Sequence, residues 1–371
     1  MIRFLTGGES HGEGLIGIIE GFPSNVYFDI EYINKELNRR QVGYGRSNRM
    51  DMEQDEIKVL SGINKGYTTG NPISLIIKNR GTNIDLVEIT KPRPGHGDLA
   101  GTLKYNHKGA RNVVERASAR ETAMRVAVGS VCKLLLKKFE IKVYSHVIKI
   151  GDIEVSMKYK DEKELETANN SSVRVIDKDT EELIIKKIKQ AKKEEDTLGG
   201  VVEVIGKNIP VGLGSYTNWD RKLDAKIAHS IMSIPGIKGI EFGLGFEASN
   251  RLGSQMHDEI FYDLNGFYRK TNNAGGIEAG VSNGEDIVFR AVMKPIPTLR
   301  KSLKTVDIDT KEDVIAQFER SDVCAVPSVC IVAESMLAYV LANEMVSKFG
   351  GDSIEEIKSS FSNYMSDLKN R

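Results

Sequence analysis

Apolar and polar positions follow two rhythms along this chain. Ile16 to Ile19 and Ile73 to Ile77 are short, β-branched and flanked by Gly or Pro, which predicts strands. Between them, Asp29 is placed to cap a helix presenting Ile30, Ile33 and Leu37 on one face. Residues 38–52 carry arginines and glycines without apolar spacing and read as a basic loop. A second loop, Lys91 to Leu99, contains Pro92, Pro94, Gly95 and Gly97. Ser118 and Glu121 then have the spacing of a capping box, in which each side chain bonds the other's free backbone N–H. The residues that follow, Ala123 to Phe139, are apolar nearly all round until Lys137 and Lys138. Such a helix is buried at the centre of a protein.

Residues 151–198 differ in character, with lysines and carboxylates crowded together. Asp179 and Glu182 form a second capping pair, Gly199-Gly200 makes a stop, and Leu183, Ile184, Ile188 and Ala191 give one apolar face. This segment reads as a charged peripheral subdomain of one domain spanning 1–371. Another helix follows Asp220 with Leu223, Ile227 and Ile231 inward, and an apolar helix starts at Pro327, where proline suits a first turn. The last helix has Ser353 and Glu356 as its box and Ile354, Ile357, Phe361, Tyr364 and Leu368 as its stripe. Strands and long buried helices mix without a regular βαβ rhythm, so the fold class expected is α+β rather than a doubly wound sheet.

Composition narrows the function. At 371 residues the chain exceeds the usual single-core size, which allows one large domain or two interlocked lobes. Lys+Arg and Asp+Glu balance at 52 each, which speaks against a nucleic-acid binder and against a polybasic membrane anchor. Glycine, at 35 residues, concentrates in the stretches 7–21, 43–45, 95–101 and 236–245, where it lets backbone approach a ligand closely. Cys132, Cys324 and Cys330 lie in apolar stretches and read as reduced core thiols, which points to the cytoplasm. Met1 to Leu5 runs straight into a polar block, leaving no room for a signal peptide. The longest near-apolar run, Cys324 to Ala333, is short for a membrane span, so no membrane partner is expected.

Three polar blocks carry the chemistry: Gly8-Glu9-Ser10-His11-Gly12, Arg116 to Thr122, and Arg320-Ser321-Asp322. Groups of this kind cost free energy to bury unless they meet a partner or a ligand. Together they predict one polar site assembled from the whole chain, hence an enzyme. Arg116 and Arg120 stand at the mouth of the Ser118 helix, whose N-terminus offers unpaired N–H groups to a phosphate. A charge-assisted hydrogen bond is worth about 1.5–3 kcal/mol, against about 0.3–1 for an exposed dipole contact, so the arginines dominate. They could equally pair with structural carboxylates such as Glu115. Arg40, Arg46 and Arg49 suit bidentate binding of carboxylate or phosphate, or belong to a merely solvated loop. His11 and His96 sit in Gly-rich loops with no apolar face to pack on, a setting that suits general acid work on a leaving phosphate. His107, His146, His229 and His257 read as structural. Asp322 can act as a base or cap the apolar helix after it. Glu334, inside that helix, needs a buried partner, with Arg120 or Arg125 as candidates. Glu9, His11, His96, Asp98 and Asp322 could ligate a metal, but no tight helical ligand spacing joins them and the arginines would repel a cation; no metal is expected.

Taken together, these blocks resemble the chorismate synthase family over nearly the whole chain. The resemblance rests on Gly8 to Gly12, Asn38-Arg39-Arg40 to Arg49, Arg93-Pro94-Gly95-His96, Ser118 to Thr122, Lys294-Pro295 and Arg320-Ser321-Asp322, in that order and spacing. It implies a 1,4-anti elimination of phosphate from 5-enolpyruvylshikimate 3-phosphate to give chorismate, dependent on reduced FMN. It implies that His11 protonates the departing phosphate and that His96 holds the protonation state of the flavin. Asp322 would help the flavin N5 region accept the substrate proton. Ser10, Arg40, Arg46, Arg49, Arg120 and Arg320 match positions around the anionic substrate, and Arg40 and Arg46 are also linked with nicotinamide nucleotide in some members, so NADPH is a possible external reductant. Arg40, Arg46, Arg116, Ala117, Ser118, Gly284, Lys294, Pro295, Ile296, Pro297, Thr298 and Arg320 match cofactor-contacting positions. The family fold is a β–α–β sandwich with long buried central helices, assembled as a homotetramer. The chain departs from the pattern at Gly97 and Ala117, where alanine and serine are commoner, and at Lys108-Gly109, where Arg-Asp is.

Two other classes remain distinguishable on the sequence. A flavin-dependent NAD(P)H oxidoreductase would use the same FMN pocket for net hydride transfer, but no Gly-x-Gly-x-x-Gly follows a predicted strand. A non-catalytic anion-binding protein would not need two histidines and an aspartate beside its arginines.

Overall fold

The computed structural model describes residues 1–45, 54–80, 87–157, 159, 161–264, 266–301, 303–318 and 322–370. Strands β1 (Arg3–Gly7), β2 (Gly14–Glu20), β3 (Ile57–Ser61) and β4 (Ile73–Lys78) form an antiparallel sheet in the order β1-β2-β4-β3. The two strands legible in the sequence are neighbours, with Ile16 opposite Ile76 and Ile19 opposite Ile73. Leu15, Ile19, Ile73, Leu75 and Ile77 are buried while Ile16 and Ile18 are exposed, the period-two pattern of a sheet covered on one face.

A second antiparallel sheet contains β5 (Lys142–Ile150), β6 (Ile153–Glu154), β7 (Gly200–Lys207), β8 (Ile237–Phe242) and β9 (Ile287–Met293), in the order β8-β9-β7-β5-β6. Apolar alternation does not single these strands out, because neighbours such as Val204 and Ile205 in the central β7 are both buried. The glycine-rich stretch 236–245 is thus largely strand rather than loop, as is the second half of 7–21.

The helices that build the core and the site are α1 (Ile30–Gln41), α2 (Asp98–Tyr105), α3 (Arg111–Arg116), α4 (Thr122–Leu136), α5 (Lys178–Lys193), α6 (Leu223–Met232), α7 (Val326–Phe349) and α8 (Ile354–Lys369). Helix α4 lies under the first sheet and α7 under the second, the two pack on each other, and α1 runs beside both. The molecule is therefore the expected α+β fold, a β–α–β sandwich. Every residue of α4 except Arg125 is buried. Helix α7 extends well beyond the run Cys324 to Ala333 and, at 24 residues, is long and apolar enough to cross a membrane. Its apolar window is nevertheless 89% buried between the two sheets, so the sandwich itself supplies its apolar surroundings. A Cβ added at Gly129 of α4 would stand 2.4 Å from the Cβ and carbonyl oxygen of Ser335 in α7. Glycine there sets how closely the central helices cross.

Local details depart from the sequence reading where a neighbour competes. Asp29 caps α1 by accepting from the Tyr32 N–H, and Ile33 and Leu37 point inward, but Ile30 in the first turn is exposed. Ser118 accepts from the Arg120 N–H and opens a 3₁₀ turn, Ala119–Glu121, ahead of α4. The capping box is not formed, because Glu121 turns to Arg125 at 2.8 Å instead. Helix α5 is capped by Asp177 rather than Asp179, and Leu183 is exposed while Ile184, Ile188 and Ala191 are buried. In the charged segment 151–198, Val173, Val175, Ile184 and Ile188 join the main hydrophobic core. Helices α6 and α8 match expectation, α8 with its complete Ser353–Glu356 box, and Pro327 lies in the first turn of α7.

Glu334, fully buried in α7, does not meet Arg120 or Arg125. Its Oε2 accepts from Lys133 Nζ at 2.7 Å and Arg39 Nη1 at 3.0 Å, and its Oε1 accepts from Ser145 Oγ at 2.6 Å and Arg39 Nη2 at 3.1 Å. Glu36 shares both cations, at 2.6 Å from Lys133 and 2.8 Å from Arg39, and Arg174 stands 3.6 Å from Glu334. Burial alone would push the Glu334 carboxyl up, but Arg39, Lys133 and Arg174 hold it well below the usual carboxylate range. Glu334→Ala, which leaves those cations buried without their shared anion, is expected to lower unfolding free energy by about 3–5 kcal/mol in urea titration. A loss below about 1 kcal/mol would show that the cluster does not hold α1, α4 and α7 together.

Candidate active site

A cavity of about 1030 Å³ opens where the β1–β2 loop, the end of α1, the turn before α2, the α3–α4 junction, the segment after β9 and the start of α7 converge.

Three cations form the inner wall. Arg40, in the last turn of α1 rather than in a loop, donates from Nε to Thr122 Oγ1 at 3.0 Å and from Nη2 to the Ala119 carbonyl at 2.9 Å. Arg120, on the 3₁₀ turn, donates from Nη1 to both oxygens of Asp55, at 2.6 and 2.8 Å, and from Nε to Asn79 Oδ1 at 2.9 Å. Arg40 Nη1 lies 3.7 Å from the same Asp55, so one buried carboxylate meets two guanidinium groups. Among the described residues, Arg120 Nη2 is buried with no hydrogen-bond partner. A buried donor of this kind is costly unless an anion completes it. Arg116, at the end of α3, donates to Thr6 Oγ1 at 2.9 Å and to the carbonyls of Thr6 and Gly8, all neutral acceptors. Neither arginine is neutralised by Glu115.

The two histidines are each held by a carboxylate. His11 donates its backbone N–H to Glu115 Oε2 at 2.8 Å, and its Nδ1 lies 3.0 and 3.1 Å from the two Glu115 oxygens. Asn79 Nδ2 donates to the carbonyls of Glu9 at 3.0 Å and Gly12 at 2.8 Å, closing the same loop from the other side. Gly8 has φ of +102° and its missing Cβ would meet the Gly14 carbonyl at 2.2 Å, so the loop requires glycine at its start. His96 Nδ1 makes a short hydrogen bond with the fully buried Asp98. Asp98 also accepts from Arg93 Nε at 2.8 Å and the Arg93 N–H at 3.0 Å, and Arg93 Nη1 reaches Thr298 Oγ1 at 2.8 Å. Burial would push the Asp98 carboxyl up, but the bonds from His96 and Arg93 outweigh it and hold it well below the usual range. The carboxylate facing Nδ1 in each ring favours a proton there, which would leave Nε2 to exchange protons; at His96 the Arg93 Nη2 donor also lies 3.2 Å from Nδ1.

The apolar lining is supplied by Pro295, Ile296 and Pro297 after β9 and by Val329 and Val332 of α7. Lys294 stands at its edge and donates to the Gly95 carbonyl; burial, with Lys238 nearby, pushes its ammonium below the usual lysine range. Asp322 lies on the rim, just before the contact of Val323 N–H with the Gly45 carbonyl at 2.9 Å. It does not cap α7, whose N-cap is Ala325 without a side-chain bond.

The cavity thus gathers Ser10, His11, Arg40, His96, Arg116, Ala117, Ser118, Arg120, Lys294 to Thr298 and Asp322. Arg46, Arg49 and Arg320 lie outside the described residues. Gly284 does not line the cavity; it turns with φ of +97° between Ser282 and β9, beside Val211. His107 stacks on Tyr105 instead. Sequence reasoning missed Asp55 and Asn79, which act across 65 and 41 residues and have no local signal. It also left Arg111 and Arg125 unassigned, although both line the cavity. Among the described residues no group of three or more His, Cys, Asp or Glu is placed to hold a metal ion. The polar floor, the apolar wall and two carboxylate-held imidazoles can bind anions beside a flat apolar ring and move protons between them.

Asp98→Asn is expected to cost about 1.5–3 kcal/mol at pH 7, measured by urea unfolding. A carboxyl held below its unfolded value contributes fully above that value and loses the contribution as pH falls. The gap to the unaltered protein should therefore narrow below the ordinary value of 3.8; a gap constant from pH 7 to pH 3 would contradict the pairing.

Comparison with known proteins gives one answer. Residues 2–346 match the family described as chorismate synthase. The chain is 54% identical over 376 residues to the chorismate synthase of Caldicellulosiruptor bescii, covering 97% of this chain and 98% of that protein. It is 52% identical over 379 residues to the chorismate synthase of Alkaliphilus metalliredigens, covering 99% and 100%. A crystal structure of chorismate synthase superposes with a TM-score of 0.84 at 43% identity, over 100% of this chain and 99% of that one.

Proposed function

The chain belongs to the chorismate synthase family, lyases of the shikimate pathway, and we propose that it converts 5-enolpyruvylshikimate 3-phosphate to chorismate and phosphate with reduced FMN bound beside the substrate. The observation that carries this reading is the convergence of His11, His96, Arg40, Arg120 and Asp322 on one cavity with an apolar wall. At about 1030 Å³ it slightly exceeds the ~300–1,000 Å³ usual for one small ligand, room for a flavin and a substrate together. The residues fit such a pair. The apolar Pro295, Ile296 and Pro297 can receive a flat ring, and the unpartnered Arg120 Nη2 faces an anion's needs.

In the elimination the allylic C–O bond breaks with its electron pair on the departing phosphate. A C–H bond on the other face also breaks: its electron pair forms one double bond, and the pair of the existing double bond shifts to the carbon that loses phosphate and forms the second. Arg40 and Arg120, with Arg46, Arg49 and Arg320, hold the substrate's anionic groups, and Ser10 lines the same pocket. Pre-placed guanidinium groups stabilise charge as it develops on the phosphate without reorganising at that moment. His11 delivers the proton from Nε2 to the departing oxygen while Nδ1 stays on Glu115. His96, through Nδ1 on Asp98, keeps Nε2 available to hold a proton on the flavin side. The Asp322 carboxylate receives the substrate proton as it leaves the site. Arg116, Ser118 and the Lys294–Thr298 segment would hold reduced FMN, which when bound would supply electron density that eases C–O cleavage without net redox change. NADPH is its proposed external reductant, drawn to Arg40 and Arg46.

The three buried free thiols support a reducing, cytoplasmic setting. The exposed apolar face of the first sheet, with Leu5, Ile16, Ile18 and Leu60, supports assembly as a homotetramer. His11→Ala and Asp322→Ala are each expected to lower kcat about 100-fold or more while FMN affinity, read by flavin fluorescence quenching, changes less than about threefold. Unaltered turnover in either variant would remove that residue from the mechanism.

A further inference from the structure

Glu115 has no assigned part in the chemistry, yet its contacts are specific. It is 4% exposed, in the last turn of α3, and meets the β1–β2 loop more than a hundred residues away in sequence. Its Oε2 accepts the His11 backbone N–H at 2.8 Å, both oxygens lie within 3.1 Å of His11 Nδ1, and its own carbonyl accepts the Ser10 N–H at 3.1 Å. Arg111 Nη1, one turn earlier on α3, stands 3.4 Å from Oε1 and orients the carboxylate. A single residue therefore fixes the backbone of the Ser10–His11 step, the plane of the imidazole and the nitrogen that carries its hydrogen.

We propose that Glu115 is the positioning residue for His11, selecting the Nδ1–H form so that Nε2 alone carries the exchangeable proton into the cavity. A carboxylate accepts hydrogen bonds only, so a neutral ring beside it must place its hydrogen on Nδ1. The amide of Glu115→Gln has the same size and can still accept the His11 N–H through its oxygen. Its NH₂ would then donate to Nδ1 and place the ring hydrogen on Nε2. In that form Nδ1 faces a donor and cannot take the second proton that makes the ring an acid, so a transfer from Nε2 would leave an unfavourable imidazolate. A wrong tautomer of this kind, with geometry intact, is known to be severe in carboxylate-oriented histidines. This rests on the proposed role of His11 as the acid.

The test combines a tautomer measurement with kinetics. Protein labelled with ¹⁵N at histidine, and compared with His11→Gln to assign the signal, is titrated until the His11 ring is neutral. The unaltered protein should show hydrogen on Nδ1, and Glu115→Gln should shift it to Nε2. Steady-state kinetics of Glu115→Gln should show kcat down by about 100-fold or more, with KM and FMN affinity within about threefold. The Nε2–H form in the unaltered protein, or a kcat within about twofold in Glu115→Gln, would overturn the proposal. The first of these readings needs no Glu115 variant, so it stands even if Glu115→Gln does not fold. Full turnover in His11→Ala would instead defeat the assignment of His11 as the acid and leave the tautomer result standing.

Discussion

Glu334 sits in the middle of α7 with none of its surface exposed, and the centre of the molecule is arranged around satisfying it. An unpaired carboxylate there would cost several kcal/mol, and removing one partner of a buried pair exposes much of that cost. Arg39 from α1, Lys133 from α4 and Ser145 from β5 meet it together, so the central helices and the second sheet are registered by one anion. Gly129 permits that meeting, because any larger residue would hold α4 away from Ser335 on α7.

The same constraint reaches the cavity. Arg39 and Arg40 are adjacent in the last turn of α1, one committed to the buried anion and the next to Thr122, Ala119 and Asp55. From Asp55 the polar contacts continue through Arg120 to Asn79 and so to the loop that carries His11. Groups that act on charge are thereby fixed before a ligand arrives, and the reorganisation that water would undergo is avoided. What remains open in this arrangement is a donor: the buried Arg120 Nη2, without a partner among the described residues.

Much of this was legible in the sequence for physical reasons. Helix α4 announced itself because burial on every side leaves no polar stripe, and β2 and β4 because short β-branched runs stand between Gly and Pro breaks. The Gly8–Gly12 and Arg93–Gly97 segments were legible because polar groups among glycines have nothing apolar to pack on. The second sheet was not, since strands buried on both faces lose the period-two signal. Nor could local spacing find the partners of Glu334 or the place of Asp55, both decided by neighbours distant in sequence. Ser118 shows the limit most plainly: its capping spacing is correct, yet the chain makes a 3₁₀ turn there that presents Arg120 to the cavity.

The central claim is that this cavity eliminates phosphate with the help of a reduced flavin and without net oxidation. The most direct measurement is an anaerobic assay of the purified protein with 5-enolpyruvylshikimate 3-phosphate and FMN, either oxidised or chemically reduced, following chorismate by its ultraviolet absorbance. Chorismate formed only with reduced FMN, many turnovers per flavin and no flavin oxidised, is the predicted result. Folded, flavin-binding protein that yields no chorismate with reduced FMN, or that oxidises one flavin per turnover, would contradict the account.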